Sequence, residues 1–378
     1  MRFTEEQEHF RQELRRFADS HCKTLAQRDA LTEGGTIANS PEMFRKIADH
    51  GWFGVSLPEE YGGHGAGMVD ECIFLEETAR GLVPIKGYST GLVAVQTYLK
   101  CGNEDQKHTI VGNIVAGKVE AISLSEPGAG SDLAAVRLKA VQDGDDYVLN
   151  GQKTWCSVAH IAEHMLLLAR TDSSGRKHHG LTLFMVPTDT PGVEIREIVT
   201  MEPRTVNDVY YTDARVPASA IVGERDHAWR ALTRGLAVER LIIATTSTGA
   251  AQRALDDVVA YVTERQQFGR SIGSFQAVQH RLAELATEIA VCRAFVYDIA
   301  DKIDHGLEDA IEAQAAMAKL KCTEVAKRTV LEAMQFMGGY GFARDFGMEE
   351  QVRFNLAPTI YGGSNEVQKE IIVKSLGL

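Results

Sequence analysis

The sequence predicts an α+β fold in which a helical region, a β region and a second helical region follow one another along the chain. Up to about residue 117 the apolar residues recur mostly with helical spacing. From about residue 119 to 224 their period falls towards two, and beyond residue 225 long amphipathic helical patterns return. We therefore predict three domains, which comprise residues 1–117, 118–225 and 226–378.

The N-terminal region begins with an amphipathic helix whose predicted inner positions are Phe3, Phe10, Leu14 and Phe17. It contains neither the apolar core of a secretory signal nor an Arg/Ser-rich, acid-poor transit segment. Short breaks then separate further helical patterns, at residues 33–35, 57–65 and 101–103. This region is therefore predicted to be a domain of several helices.

The central region contains strand-like apolar segments at residues 121–124, 165–169, 181–186 and 193–198. A further segment, residues 147–155, has the pair Asn150-Gly151 between two strand-like flanks. Because Asn-Gly favours the tight turn of a two-residue hairpin, we predict that the chain reverses direction at this pair.

Composition excludes several classes of function. The chain has 378 residues, and its 40 basic and 52 acidic side chains give a formal net charge of −12, which argues against non-specific nucleic-acid binding. No apolar run approaches the roughly 20 residues needed to cross a bilayer. The six cysteines lie far apart without a C-x-x-C pair. We therefore expect reduced thiols, no metal site and a cytoplasmic location.

Glu239 is a carboxylate on an apolar helical stripe. Residues 229–244 read as a helix, and Leu232, Leu236 and Ile243 mark one face of it, on which Glu239 also falls. A buried carboxylate is costly unless it is paired or unless its raised proton affinity is useful. The helix alone leaves both interpretations open: a structural residue that pairs with a core arginine or turns to the surface, and a general base.

Four further motifs each have a structural and a functional interpretation. Residues 125–132, Ser-Glu-Pro-Gly-Ala-Gly-Ser-Asp, form either an ordinary glycine-rich turn or a nest of backbone amides for an electron-rich group. Trp155 and Ser157, at the end of a strand, either present an aromatic plane and a hydroxyl on one face, or Trp155 is an ordinary core tryptophan. Residues 264–269 form either a solvated helix end or a binding loop, and the glycines of residues 335–341 either cap a helix or permit close approach of a ligand.

In this order, and with Ile360-Tyr-Gly-Gly-Ser-Asn-Glu366 as a fifth motif, the set resembles the acyl-CoA dehydrogenase family of flavoproteins over nearly the whole chain. The resemblance implies an N-terminal helical domain, a central β-domain and a C-terminal four-helix bundle. It also implies FAD as cofactor, an acyl-CoA substrate in fatty acid metabolism, an electron-transfer flavoprotein as acceptor, and a homotetramer built as a dimer of dimers.

The resemblance assigns binding roles residue by residue. The flavin ring and its surroundings are assigned to Ile122, Leu124, Ser125, Gly130, Ser131, Trp155 and Ser157, with the Ser125 and Ser157 hydroxyls facing the pyrimidine edge and N5. A neighbouring subunit's cofactor is assigned to Arg265, Gln267, Phe268, Gln276, Gln335, Gly338 and Gly339. The diphosphate or adenosine is assigned to Ser364 and Glu366. The acyl-CoA is assigned to Ser131, Arg240, Tyr361, Gly362 and Gly363.

Some positions depart from the family pattern. Ile122 stands where an aromatic residue is frequent, Ser125 where Thr is common, and Cys156 where a branched aliphatic is usual. Glu366 stands where Gln is frequent, which puts a negative charge beside a phosphate. Ala237 replaces an Asp that helps some members to bind substrate.

The resemblance also assigns the base. Most members carry their catalytic Glu at the position held here by Gly362, which cannot accept a proton. A minority, including long-chain and isovaleryl dehydrogenases, carry it in a Glu-Arg-Leu pattern on the preceding helix, as in Glu239-Arg240-Leu241. We therefore expect Glu239 to remove the α-proton of the thioester while a hydride passes to flavin N5. The Gly362 N–H and a ribityl hydroxyl would face the thioester carbonyl.

Three alternatives remain at this point: an acyl-CoA oxidase, a dehydrogenase acting on a carrier-protein thioester, and a non-catalytic subunit of a hetero-oligomer. Each is compatible with the same motifs, because the shape of the pocket decides oxygen access, the carrier of the thioester (CoA or a protein) and the length or branching of the acyl chain.

Overall fold

The structure is a computed structural model that describes residues 2–307 and 311–378, without the side chains of residues 230, 231, 233 and 234. The chain folds into two compact units. The helical unit comprises Met1–Gly34, Ala66–Val83 and Glu239–Leu378, and the sheet unit comprises Gly35–Gly65 and Pro84–Val238. These units cut across the three domains proposed from sequence, so that division stays a prediction.

The order of helical, β and helical regions is confirmed by the elements themselves. The α-helices are α1 (Glu5–Cys22), α2 (Leu25–Leu31), α3 (Pro41–Asp49), α4 (Met68–Arg80), α5 (Tyr88–Cys101), α6 (Glu104–Val115), α7 (Ala228–Glu264), α8 (Gln276–Asp304), α9 (Glu312–Met337), α10 (Gly339–Phe342), α11 (Met348–Leu356) and α12 (Asn365–Ser375). The strands are β1 (Val119–Ser123), β2 (Lys139–Asp143), β3 (Asp146–Ser157), β4 (Ala162–Arg170), β5 (Leu181–Pro187), β6 (Val193–Glu197), β7 (Val206–Pro217), β8 (Ile221–Val222), β9 (Gln266–Gln267) and β10 (Arg270–Ser271).

The helical unit is built from helices whose ends are capped by side chains. Thr4 and Gln7 form a capping box at the start of α1. Of the four predicted inner positions, Leu14 and Phe17 are buried, Phe10 is half-buried, and the half-buried Phe3 lies before the helix. The α4 N-terminus is capped from a distant part of the chain, because the Asp304 carboxylate accepts from the backbone N–H of Val69 at 3.0 Å. Helix α9 then packs on α8, α11 and α12.

The sheet unit contains an eight-stranded sheet in the order β6-β7-β3-β2-β4-β5-β8, with β1 paired in parallel to β4. Helices α5 and α6 pack on β1. At the end of β1, Ala121 and Ser123 are buried, whereas Ile122 and the following residue Leu124, on the other face, are only half-buried. This alternation leaves one face of the strand available to a ligand.

The hairpin predicted at Asn150-Gly151 is wrong. β3 runs straight through this pair and continues alongside β7, and the turn into β3 lies instead at Gly144. A bulge accommodates the pair: the Asn150 amide exchanges hydrogen bonds of 3.0 Å with the Asp213 backbone N–H and carboxylate. Gly151 is required because a Cβ there would lie 2.9 Å from Cγ of Leu138.

Helix α7 has 37 residues and is buried on several sides around Glu239. Of the predicted stripe, Leu232 and Ile243 are buried and Leu236 is half-buried. Val238, Leu241 and Ile242 on other faces are buried as well. No helix among the described residues is long and apolar enough to cross a membrane. In those residues, no cluster of His, Cys, Asp and Glu could hold a metal ion.

Candidate active site

Glu239 lies next to the loop at residues 360–364 in the helical unit. Gly362 in that loop has φ +62°, and a Cβ at this position would lie 3.6 Å from Oε1 of Glu239. The same Cβ would lie 2.3 Å from Cδ1 of Ile243, one helical turn after Glu239. A side chain at position 362 would therefore enter space beside the Glu239 carboxylate that Ile243 now fills.

The Glu239 carboxylate has no ion-pair partner among the side chains that the structure describes. Its side chain is half-buried, and it forms no hydrogen bond or salt bridge with any residue that the structure describes. Burial raises its pKa above that of an ordinary glutamate, and the positive charges of Arg240 and Lys319 only partly oppose this effect. Among the residues whose side chains are described, no arginine pairs with Glu239, and the carboxylate is not fully exposed. These observations favour a carboxylate with raised proton affinity, and its role as the base stays a prediction.

Arg240 is almost fully buried, and neither Nε nor Nη1 has a hydrogen-bond partner among the described residues. Burial lowers its pKa, against the attraction of Glu312 and Glu239. A buried guanidinium without acceptors is costly, so these two groups suit an oxygen-rich ligand. Their unsatisfied donors are compatible with the substrate-binding role expected for Arg240.

The Gly362-Gly363 loop is held by two side chains that sequence reasoning missed. The Lys319 ammonium donates to the Gly363 carbonyl at 2.9 Å, and Nε2 of Gln368 donates to the Gly362 and Gly363 carbonyls at 3.1 and 2.7 Å. In the described part of the chain, the N–H groups of Gly362 and Gly363 have no acceptor. Consecutive free amides at positive φ form a nest suited to a developing negative charge.

Sequence did contain a signal for Lys319. It lies on the buried stripe of α9 that Ala315, Ala318 and Cys322 mark, so it is a charge on an apolar face just as Glu239 is. Gln368 and Ile243 gave no such signal, because their roles depend on which helix lies beside the loop. Tyr361, also expected at the substrate, is largely exposed at the start of this loop.

In the sheet unit, the predicted flavin residues at the end of β1 and in β3 share an open, partly apolar environment. Ile122, Leu124 and Ser125 are half-buried, and Trp155 is 60% exposed at φ +59°, where β3 bulges. The Ser125 and Ser157 hydroxyls have no partner among the described residues. An exposed indole next to unpaired hydroxyls fits a flat, ring-shaped cofactor with polar edges.

The turn that follows β1 is built on a buried ion pair. Lys153 is fully buried, and its ammonium donates to Oε1 of Glu126 at 2.9 Å and to the Leu124 carbonyl at 2.7 Å. Glu126 accepts in addition from the backbone N–H groups of Arg137 and Leu138, at 2.7 and 2.8 Å. Burial lowers the pKa of Lys153 to about 8, against the attraction of Glu126. This pair fixes the backbone at Leu124 and Ser125, while Gly130 and Ser131 remain exposed.

In the helical unit, the predicted neighbour-cofactor residues form two groups. β9 and β10 form a small hairpin in which Gln267 of β9 pairs with Arg270, and its turn contains Phe268. Phe268 is 92% exposed at φ +54°. The second group follows α9, where a Cβ at Gly338 or Gly339 would meet nothing within 4 Å. Arg265 connects the groups, because its guanidinium lies 5.3 Å from the centre of the Tyr340 ring. Gln276 and Gln335 are exposed. Open glycines, an exposed ring and a cation fit the diphosphate and ring portions of FAD.

Ser364 and Glu366 lie at the start of α12. The Ser364 hydroxyl accepts from the Val367 N–H at 3.5 Å and so caps this helix. Hydrogen bonds from its own backbone N–H and from Ser364 lower the pKa of the exposed Glu366 carboxyl. A charged carboxylate repels a diphosphate, so Glu366 suits the hydroxyls of an adenosine better than a phosphate.

Comparisons with known proteins match the whole chain. Models of the N-terminal, middle and C-terminal domains of acyl-CoA dehydrogenase match residues 4–118, 121–213 and 226–377. The chain is 34% identical over 384 residues to 3-(aryl)acrylate reductase of Clostridium sporogenes, with 100% of both chains covered. It is 31% identical to the mitochondrial long-chain specific acyl-CoA dehydrogenase of Sus scrofa, with 99% of this chain and 87% of the relative covered. The structure of acyl-CoA dehydrogenase from Geobacillus kaustophilus is similar with a TM-score of 0.90 and 32% identity, covering 100% of this chain and 99% of the other.

Proposed function

Since this chain belongs to the acyl-CoA dehydrogenase family and is therefore a flavin-dependent oxidoreductase, we propose that it desaturates an acyl-CoA thioester between Cα and Cβ. FAD, when bound by the residues assigned to it below, would supply the acceptor for the β-hydride. Glu239 removes the α-proton, and the carboxylate becomes a neutral acid. The reaction then needs a base that is ionised near neutral pH but has a raised proton affinity.

The observation that carries this proposal is the position of Glu239 against Gly362. Most family members have their base at the position of Gly362. In this chain, a Cβ added at Gly362 would lie 3.6 Å from Oε1 of Glu239. The carboxylate is therefore supplied to the same place from α7 instead of from the loop. Burial raises its pKa, as the role requires.

The developing enolate needs donors at the thioester oxygen, and we assign one of them to the Gly362 backbone N–H. This amide has no acceptor in the described structure and is adjacent to the Glu239 carboxylate. Donors fixed before the reaction stabilise a transition-state oxyanion at no cost of reorganisation. Arg240, Tyr361, Gly363 and Ser131 are assigned to the rest of the acyl-CoA.

We assign FAD to the residues predicted for it, because each group offers a matching chemistry. Trp155 and the hydroxyls of Ser125 and Ser157 suit the flavin ring. In the helical unit, the open glycines 338 and 339 and the Arg265 guanidinium suit a diphosphate. Loss of bound flavin from variants of each group tests these assignments.

We also propose that the protein is a homotetramer that passes electrons to an electron-transfer flavoprotein in the cytoplasm, within fatty acid metabolism. Large apolar side chains of the helical unit support the assembly, because Phe268, Phe342 and Val291 are 92%, 80% and 58% exposed. Light scattering on the purified chain measures the mass of the assembly and tests this proposal.

A second candidate is the reverse reaction, reduction of an α,β-unsaturated thioester or acid. It is favoured by the likeness to an arylacrylate reductase over the full length of both chains. The same Glu239 would then donate its proton to Cα, since a group that removes a proton in one direction returns it in the other. Under argon, the rate at which an acyl-CoA bleaches the flavin is compared with the rate at which an enoyl-CoA reoxidises the dithionite-reduced protein. Reoxidation much faster than bleaching would favour the reductase.

Glu239→Gln tests the assignment of the base. We expect the variant to retain FAD and acyl-CoA binding but to lose about 10²- to 10⁴-fold in the rate of anaerobic flavin bleaching. Wild type should slow as the pH falls through the raised pKa of Glu239, and the variant should lack this dependence. Glu370→Gln removes an exposed carboxylate of α12 and should behave as wild type. Near-normal bleaching by Glu239→Gln would refute the assignment.

The alternatives make different predictions in the same assay. A panel of short, long, branched, aromatic and steroid acyl-CoA thioesters identifies the substrate by the fastest bleaching. The corresponding carrier-protein thioesters test whether the acyl group is instead carried by a protein. An oxidase forms peroxide in air at the rate at which it bleaches under argon. A non-catalytic subunit bleaches with no thioester when it is purified alone.

A further inference from the structure

Lys319 is a fully buried lysine of α9 whose ammonium lies against the loop that carries Gly362 and Gly363. It donates to the Gly363 carbonyl at 2.9 Å and to Oδ1 of Asn365 at 3.3 Å. Within the described residues it has no ion pair with a carboxylate. A buried charge without a counter-ion lowers stability, so the charge itself calls for a functional explanation.

Lys319 and Gln368 together determine which way the loop's peptide groups face. Their nitrogens bind the carbonyls of Gly362 and Gly363 at 2.7 to 3.1 Å. In a trans peptide the N–H points away from the carbonyl, so the N–H groups of Gly363 and Ser364 face away from these two donors. Replacing Gln368 frees the Gly362 carbonyl to rotate, whereas replacing Lys319 leaves the Gly363 carbonyl with the Gln368 donor alone. Either change therefore loosens the backbone that carries the Gly362 amide.

The charge of Lys319 also acts on the base without touching it. Four titratable groups influence one another here: Glu239 and Arg240 on α7, Lys319 on α9 and Glu366 on α12. Burial lowers the pKa of Lys319 to about 8, against the attraction of Glu239 and Glu366. Lys319 and Arg240 in turn lower the pKa of Glu239, against the larger effect of burial. At neutral pH the ammonium is therefore charged and favours the ionised base.

We propose that Lys319 is a positioning residue for proton abstraction: it holds the loop that donates to the enolate, and it adds a buried positive charge to the site of the base. Gln368 shares the first task but, being neutral, has no part in the second. This inference rests on the proposed function, because it assigns Lys319 to the enolate-forming step of that reaction.

Three variants separate the two tasks. Lys319→Met removes both the donor and the charge, and Gln368→Met removes a donor alone. Lys321→Met removes a charge from the same helix at an exposed position that pairs with Glu288 at 3.0 Å, and serves as the matched control. Two properties are measured for each holoenzyme: the pH dependence of anaerobic bleaching, and enolate formation from a 3-thiaacyl-CoA. This analogue can lose an α-proton but cannot transfer a hydride, so its enolate is seen as a long-wavelength band with the oxidised flavin.

Lys319→Met should weaken the enolate band, slow bleaching by up to about 100-fold, and shift the acid limb of the profile to higher pH. Gln368→Met should weaken the band and leave the acid limb where it is, whereas Lys321→Met should change neither. A Lys319→Met holoenzyme with the wild-type band and acid limb overturns the proposal. If that variant does not fold, a wild-type band in Gln368→Met overturns it instead. If wild type itself neither bleaches nor forms the band, the proposed function falls as well.

Discussion

Moving the base from α7 back to the loop is a direct test of the geometry at Gly362. In the Glu239→Gln background, Gly362→Glu places a carboxylate beside the lost one. The added Cβ would lie only 2.3 Å from Cδ1 of Ile243, so that methyl group must move by about an ångström to reach ordinary contact. Ile243→Val removes this one methyl group and leaves the rest of the side chain.

The energetic cost of the change follows from these contacts. A non-glycine residue at the φ of +62° costs roughly 1–2 kcal/mol, and Ile→Val in a core costs about 0.5–1.5 kcal/mol. The sum is about 1.5–3.5 kcal/mol, which a domain of ordinary stability tolerates. If the strain of roughly 1–2 kcal/mol also opposes the reactive conformation, the relocated base works about 5- to 30-fold more slowly than the native one.

The assay is anaerobic flavin bleaching by the best thioester of the panel, with FAD content and thermal unfolding measured on each variant. Glu239→Gln with Gly362→Glu should recover little activity, and the addition of Ile243→Val should recover substantially more. Glu239→Gln with Ile243→Val is the control and should recover none. Equal recovery with and without Ile243→Val would show that the Ile243 methyl does not limit the site. If neither the double nor the triple variant recovers activity, a carboxylate at position 362 does not reach the proton that Glu239 removes.

Three other changes test the scaffold. Lys153→Met leaves the Glu126 carboxylate without its cation and should lower the free energy of unfolding in urea by about 3–5 kcal/mol. Lys139 is an exposed lysine of β2, and Lys139→Met should change that free energy little. Trp155→Ala should change that free energy by less than about 1 kcal/mol because the indole is 60% exposed, yet weaken FAD binding in a flavin-release titration. Gly151→Ala should destabilise the fold by about 1–3 kcal/mol, because the added Cβ would meet Leu138. Gly112→Ala in α6, where an added Cβ meets nothing within 4 Å, should stabilise it by up to about 1 kcal/mol. Equal thermal shifts in the two variants would contradict the bulge.

The succession of helical and β regions was predictable because the period of the apolar residues changes where the secondary structure changes. The hairpin was not, because Asn150-Gly151 has the composition of a tight turn but responds to tertiary contacts. Its glycine makes room for Leu138, and its asparagine bonds to Asp213, 63 residues away. A local motif cannot show that a strand from elsewhere has taken over its hydrogen bonds.

The candidate base was predictable for a different reason. A charge on an apolar stripe is visible in one helix alone, and Glu239 and Lys319 both satisfy that criterion. The partners of these residues were not predictable, because Ile243 and Gln368 look like ordinary helix residues until α7, α9 and α12 are assembled around the loop. The sequence therefore indicates which residues carry the unusual charge, and the fold decides what that charge does.

Positions 239, 243 and 362 are best understood as one site with room for one carboxylate. A base on the loop needs a side chain at 362 and therefore a smaller neighbour than Ile243, since the two compete for the same space. A base on α7 needs no side chain at 362, and the loop can then adopt positive φ at both Gly362 and Gly363. That conformation leaves their amides free and lets Lys319 and Gln368 bind their carbonyls. Under the proposed assignment, a base on the helix would leave the loop as a scaffold of donors rather than the carrier of the carboxylate. The glycine at 362 would then be compatible with an active enzyme.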